Sequence, residues 1–228
     1  MSHMINKLAI KNFYVQHRND YVAARQSGDT TKWDEQYKWD ILPKLNDELG
    51  VLGTLTESNA IHVVEILQKN NPNSGSFCHW IDLDNLHGQL ERKPVTAKAL
   101  SYMWTATPEA VGEEINNVNN LLHSFFSGEF KLSPSTFGYM LAARDCHNFA
   151  LYREALLEDL IALNSVQKPK NQGEKYQLLN DTARYVGSLM AEDGTYDEEV
   201  AYGALNGQDF LYVTIQYSKE RSATEANE

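Results

Sequence analysis

Two Cys-His dipeptides, Cys78-His79 and Cys146-His147, carry the thiolate and imidazole types that hold structural zinc. Their spacing argues against it, because neighbouring residues on a helix or strand point apart while zinc ligands usually lie about two to four residues apart. Nothing supplies the orienting group of a Cys-His nucleophile pair. Cys78 and Cys146 could form one bridge, but so few cysteines in a chain of this size suit a reducing compartment better, and both are read as free thiols. Asp82, Asp84, Glu91 and Lys93 are the types of a metal-dependent nuclease, in which carboxylates hold magnesium and a lysine assists the attacking water. Gly88, Gln89 and Pro94 surround them where a strand would be needed, and the segment reads instead as a solvated, charged helix end. Asp193, Thr195, Asp197 and Glu198 lack the central glycine and terminal glutamate of a calcium loop. His17 falls on the apolar face of a helix and reads as a core histidine. No glycine-rich phosphate loop, His-Glu-x-x-His or Gly-x-Ser-x-Gly occurs. The expectation is a chain that is not an enzyme and uses no cofactor or metal.

A different chemistry is offered by Trp33, Tyr37 and Trp39, interleaved with Lys32, Lys38 and Lys44: aromatic faces to stack on bases and ammonium groups to meet phosphates. The competing reading is core packing, since aromatics at helical spacing usually face inward. Residues 1–44 carry a net charge of +2 and the remaining 184 carry −13. The total of −11 and a pI of 5.1 exclude a generic polyanion binder, so any nucleic-acid contact must be local.

With 228 residues, 42% of them apolar, the chain can build a substantial core. Its apolar runs fall far short of the ~20 residues of a membrane span, and the amino terminus lacks the layout of a secretion signal. A soluble, cytoplasmic protein with no membrane contact is expected. Met1-Ser2-His3-Met4 reads as a cloning scar, residues 5–217 as a single helical recognition domain, and 218–228 as a disordered polar tail.

The elements that must position these groups are helices. Ile10, Phe13, Tyr14, His17, Tyr21 and Ala24 mark an amphipathic first helix ending near Gly28. Thr30 or Thr31 would cap a second through Trp33, Tyr37 and Ile41, which Pro43 should kink or split. A third covers about 58–69, followed by a loop over 70–75. Only short helices are expected over 77–104, broken at Pro94. Thr107-Pro108 and Ser133-Pro134 are helix starts. Tyr152, Leu156, Leu160 and Leu163 suggest another amphipathic stretch, followed by a basic loop with Lys168 and Lys170, then a long helix through Tyr176 and Met190. Residues 208–217 fit strand or helix by pattern, and helix is favoured because no partner strand is evident. The sum is a mainly α protein, a multi-helix globular domain of about eight or nine helices.

Three separated segments, Trp33-Asp34-Glu35-Gln36-Tyr37-Lys38-Trp39, Phe149-Ala150-Leu151-Tyr152-Arg153 and Leu205-Asn206-Gly207-Gln208-Asp209-Phe210-Leu211, resemble in order the region preceding the motor in AAA+ restriction proteins of the McrB type. The middle one is similar to an aromatic-x-x-Tyr-Arg element and the last to Leu-Asp-x-Gln-Asp-Phe-Leu, with Asn206 standing where those relatives carry an acid. The resemblance implies a modular system in which an amino-terminal domain recognises modified DNA or another invader signal, a nucleotide-driven ring assembles, and a separate nuclease subunit cuts. This chain corresponds to the first part, and nucleotide hydrolysis is not carried over to it. DNA contact is then expected through Lys32, Trp33, Lys38, Trp39, Lys44, Tyr152, Arg153, Lys168 and Lys170. Arg153 has a second reading, as a structural arginine paired with Asp145 or Glu158. The alternative function is a protein-interaction or effector-sensing module without DNA affinity, to which the acidic surface after residue 44 points.

Overall fold

Local signals start several helices where the sequence places them. In the computed structural model, which describes residues 5–72, 77–126, 130–195, 202–217 and 219, the Asn6 side chain accepts from the Ala9 N–H and opens α1 (Lys7–Gln26). Ser133 likewise accepts from the Thr136 N–H to open α7 (Pro134–Arg144), with Pro134 at the first helical position. Asn171 caps α9 (Gln172–Glu192), and Glu174 accepts in return from the Asn171 amide and the Lys170 N–H.

The described residues form ten α-helices and no strand, so the chain is mainly α. The others are α2 (Tyr37–Leu49), α3 (Ala60–Asn70), α4 (Trp80–Arg92), α5 (Thr96–Trp104), α6 (Val111–Phe125), α8 (Leu157–Asn164) and α10 (Gly203–Tyr212). α9 runs through the middle against α1, α6, α7, α8 and α10. α5 packs on α6, α3 on α4, and α2 on α7. The seam between α9 and α10 is a close one: a β-carbon on Gly187 would meet the Gly203 carbonyl, and one on Gly207 the Ala183 carbonyl. Glycine there lets the two backbones touch, which buries α10 from Ala204 to Leu211.

Several expectations need correction. The second helix begins at Tyr37, because the Asp29 carboxylate binds the Thr31 N–H and hydroxyl while its carbonyl accepts from Lys32 and Trp33, folding 29–33 into a turn. Pro43 lies inside an unbroken α2, whose buried Leu42, Leu45 and Leu49 form a continuous apolar edge that holds the helix across the proline. Residues 77–104 hold two full helices, with Pro94 between them as expected. Thr107-Pro108 forms a turn, and α6 starts later, at Val111. Tyr152 is not helical; a 3-10 turn over Glu154–Leu156 precedes α8. α10 passes into a π-helical turn over Val213–Tyr217. The expected scar and nearly all of the expected tail lie outside the described residues, as do Asp197, Glu198 and residues 73–75 of the expected loop.

The non-helical segment 145–153 crosses the interior, so its backbone polar groups need partners. Asn46 accepts from the Cys146 N–H and donates to the Ala142 and Ala143 carbonyls. Asn180 accepts from the Ala150 N–H and donates to the Asn148 carbonyl, while the Tyr176 hydroxyl donates to the Ala150 carbonyl. Arg153 emerges from this segment beside α2 and α10.

Candidate functional site

α1, the 29–36 turn, α2, segment 149–153 and α10 meet around one buried ammonium group. Lys38 is fully buried and its Nζ lies 2.9 Å from Asp209 Oδ1, 2.8 Å from Glu35 Oε2 and 3.1 Å from Gln208 Oε1. Burial opposes its charge, and the Asp209 and Glu35 carboxylates together outweigh that cost, holding its pKa above the ordinary lysine value. The other Asp209 oxygen accepts from the Tyr21 hydroxyl at 2.8 Å and the Trp33 indole N–H at 2.9 Å. Glu35 accepts from the Tyr217 and Tyr37 hydroxyls. Both carboxylates thus accept from neutral donors as well as from the ammonium group, as a buried charge requires.

Cations also sit on the aromatic walls. The Arg25 guanidinium lies 4.2 Å from the Trp39 ring centroid and 5.1 Å from that of Trp33, and the Trp39 indole N–H donates to Asn206. Arg153 donates to the Tyr37 hydroxyl at 3.3 Å and lies over the Tyr212 ring, while its Nε is buried with no partner. Segments 33–39, 149–153 and 205–211 thus meet in this cluster.

That placement corrects the expected DNA contacts. Lys38 and Tyr152 are closed off from solvent, the latter donating its hydroxyl to Glu154. Trp33 and Trp39 are half-buried, and their indole N–H groups are bonded inside the fold. Arg153 pairs with neither Asp145, which accepts from Asn148, nor Glu158, which accepts from Lys168. Lys32, Lys44, Lys168 and Lys170 remain exposed; Lys168 forms an ion pair with Glu158, and Lys32 lies 3.6 Å from Asp29. Glu35, Gln208, Asp209, Tyr21, Arg25, Tyr212 and Tyr217 were missed as site residues. The available signal is a Glu35–Lys38 pair at helical spacing among aromatics in one segment and a lone acid in an apolar helix in another.

The other chemistry-bearing groups have structural partners. Asp82 accepts from the Ser133 and Thr136 hydroxyls and ties α4 to the start of α7; Asp84 accepts from Gln68; Lys93 donates to the Phe125 carbonyl. Glu91 is exposed at the end of α4, 3.8 Å from His87. Cys78 and Cys146 are buried free thiols, each pushed up by burial to about 12. Among the described residues no three His, Cys, Asp or Glu side chains gather to hold a metal ion, and no helix is long and apolar enough to cross a membrane.

Two hollows flank this framework. A cleft of 400 Å³ lies where the carboxyl ends of α2, α5 and α7 converge; there Arg144 donates to the Ala106 carbonyl and covers the Phe149 ring, a cation among the negative ends of three helices. The second, of 270 Å³, lies between α1 and the π-helical turn, lined by His17, Asp20, Tyr21, Lys32 and Thr214 among others. Compared with known proteins, the chain matches no family model, no curated protein and no solved structure.

Proposed function

We propose that this chain is a non-catalytic, effector-sensing or protein-interaction module of a restriction or anti-phage defence system of the McrB kind, working in the cytoplasm beside a AAA+ motor domain or nuclease subunit. The observation that carries this reading is the fate of Lys38. The lysine at the centre of the aromatic segment neutralises Glu35 and Asp209 inside the protein and is not available to a phosphate. What faces outward is a chain of net charge −11, which repels polyanions and suits protein or small-molecule partners.

The test is fluorescence anisotropy of the purified chain with matched unmodified, methylated, single-stranded and double-stranded DNA at two salt concentrations. No affinity for any of them is expected. Salt-sensitive binding that prefers one substrate would instead return the DNA-recognition reading, with Lys32, Lys44, Lys168 and Lys170 as the surface cations able to carry it.

A further inference from the structure

The hollow between α1 and the π-helical turn has walls of two kinds. His17, Asp20, Tyr21 and Ala24 come from one stripe of α1, Val213 and Thr214 face them from the π-helical turn, and Lys32 reaches in from the 29–33 turn. One of its charges has no match among the described residues and another is loosely paired. The Asp20 carboxylate has no hydrogen bond or ion pair among the described residues, and the Lys32 ammonium is 3.6 Å from its nearest acid, at a half-exposed position. His17 packs on Phe13 in a tilted arrangement, with ring centroids 4.5 Å apart, and also lines the hollow. π-Helical turns are rare and are found frequently at functional sites.

Size and charge select the occupant. At 270 Å³ the hollow is at or just below the lower end of the ~300–1,000 Å³ usual for ligand pockets, which suits a small metabolite and excludes a peptide or a duplex. A strongly anionic metabolite would meet the Asp20 carboxylate within a chain of net charge −11, and a simple cation would make no use of the Lys32 ammonium. A molecule with both signs and no net charge satisfies both ends.

We propose that this hollow binds a small zwitterion of the α-amino-acid class, its ammonium group on Asp20, its carboxylate on Lys32 and His17, and its side chain against Ala23, Ala24 and Val213. The proposal rests on the effector-sensing form of the function above and names the effector's chemistry. The site also touches the buried cluster. Tyr21, whose ring lines the hollow, donates to Asp209, and Lys32 directly precedes Trp33, which donates to the same carboxylate. Occupancy therefore bears on the residues that anchor α10.

The experiment is calorimetric titration of the full chain with the common L-α-amino acids, each beside its N-acetyl and carboxamide forms. At least one free amino acid should bind, both blocked forms should lose affinity, and Asp20→Asn and Lys32→Gln should each weaken binding about tenfold or more. Both residues are exposed, so the unliganded variants should melt with the parent. Binding by none of the amino acids, or binding unchanged by both substitutions, overturns the site. DNA anisotropy on the same preparation reads the underlying function separately: silence from DNA and amino acids alike removes this site and leaves the module reading in place, whereas salt-sensitive DNA binding counts against that reading whatever the amino acids do.

Discussion

Residues 33–39 and residues 82–93 look alike on paper, each mixing acids, basic residues and large apolar side chains. The fold treats them oppositely. In the first, Lys38 and Glu35 are drawn into the core as a pair, and Lys38 is met there by a second acid, Asp209, from a helix 171 residues away. In the second, the leucines of α4 turn inward while Asp84 and Glu91 stay in water and Asp82 caps a neighbouring helix start through hydroxyls. The difference lies in the supply of partners. A charge can leave water only where an opposite charge and enough donors await it, and α10 brings an acid to the first region while, among the described residues, no other element brings a lysine or arginine to the acids of the second.

Removing the lysine breaks the comparison most severely. Lys38→Met should destabilise the protein by about 3–5 kcal/mol in urea unfolding, because two buried carboxylates lose their counter-charge. Adding Asp209→Asn should restore part of that loss, and a double-mutant cycle with no coupling would refute the pairing. In the outer region, Asp82→Ala should cost only about 1–2 kcal/mol, the loss of one acceptor shared by two hydroxyls, read in the same assay.

A third carboxylate sharpens the contrast. Asp181 is partly buried where Asp209 is fully so, and its close partner is the neutral Gln177 amide at 2.8 Å. Burial therefore wins and pushes its pKa from 3.8 up to about 6. The folded state then holds this proton where the unfolded chain has lost it, so Asp181 lowers stability progressively as pH rises from about 4 to about 6. Relative to Asp181→Asn, the parent's urea midpoint should fall across that window; parallel pH profiles would count against the shift. The smallest effect is expected at Glu91→Ala, where a side chain 62% exposed should change stability by no more than about 0.5 kcal/mol.

Much of the architecture was legible in the chain. The stripes of α1 and α6, the caps at Ser133 and the long α9 follow from spacing and local hydrogen bonding, which few distant contacts can override. The starts of α2 and α8 were not legible, because the Asp29 turn and the threaded segment 145–153 depend on side chains that bind backbone, and in the second case those side chains come from α2 and α9. The candidate site was half legible. Its aromatic segment and its acidic helix each stand out, yet spacing leaves the aromatics open between stacking on bases and packing in the core, and it does not tell a lysine awaiting a phosphate from one awaiting a buried acid.

The sequence by itself determined the helical class, several helix starts, the two free thiols and the acidic character, since these depend on composition and on neighbours within a turn or two. Only the tertiary structure decided which charges left water. That choice depends on groups far apart in the chain arriving together, because desolvating an ion is favourable only when its partners are already in place.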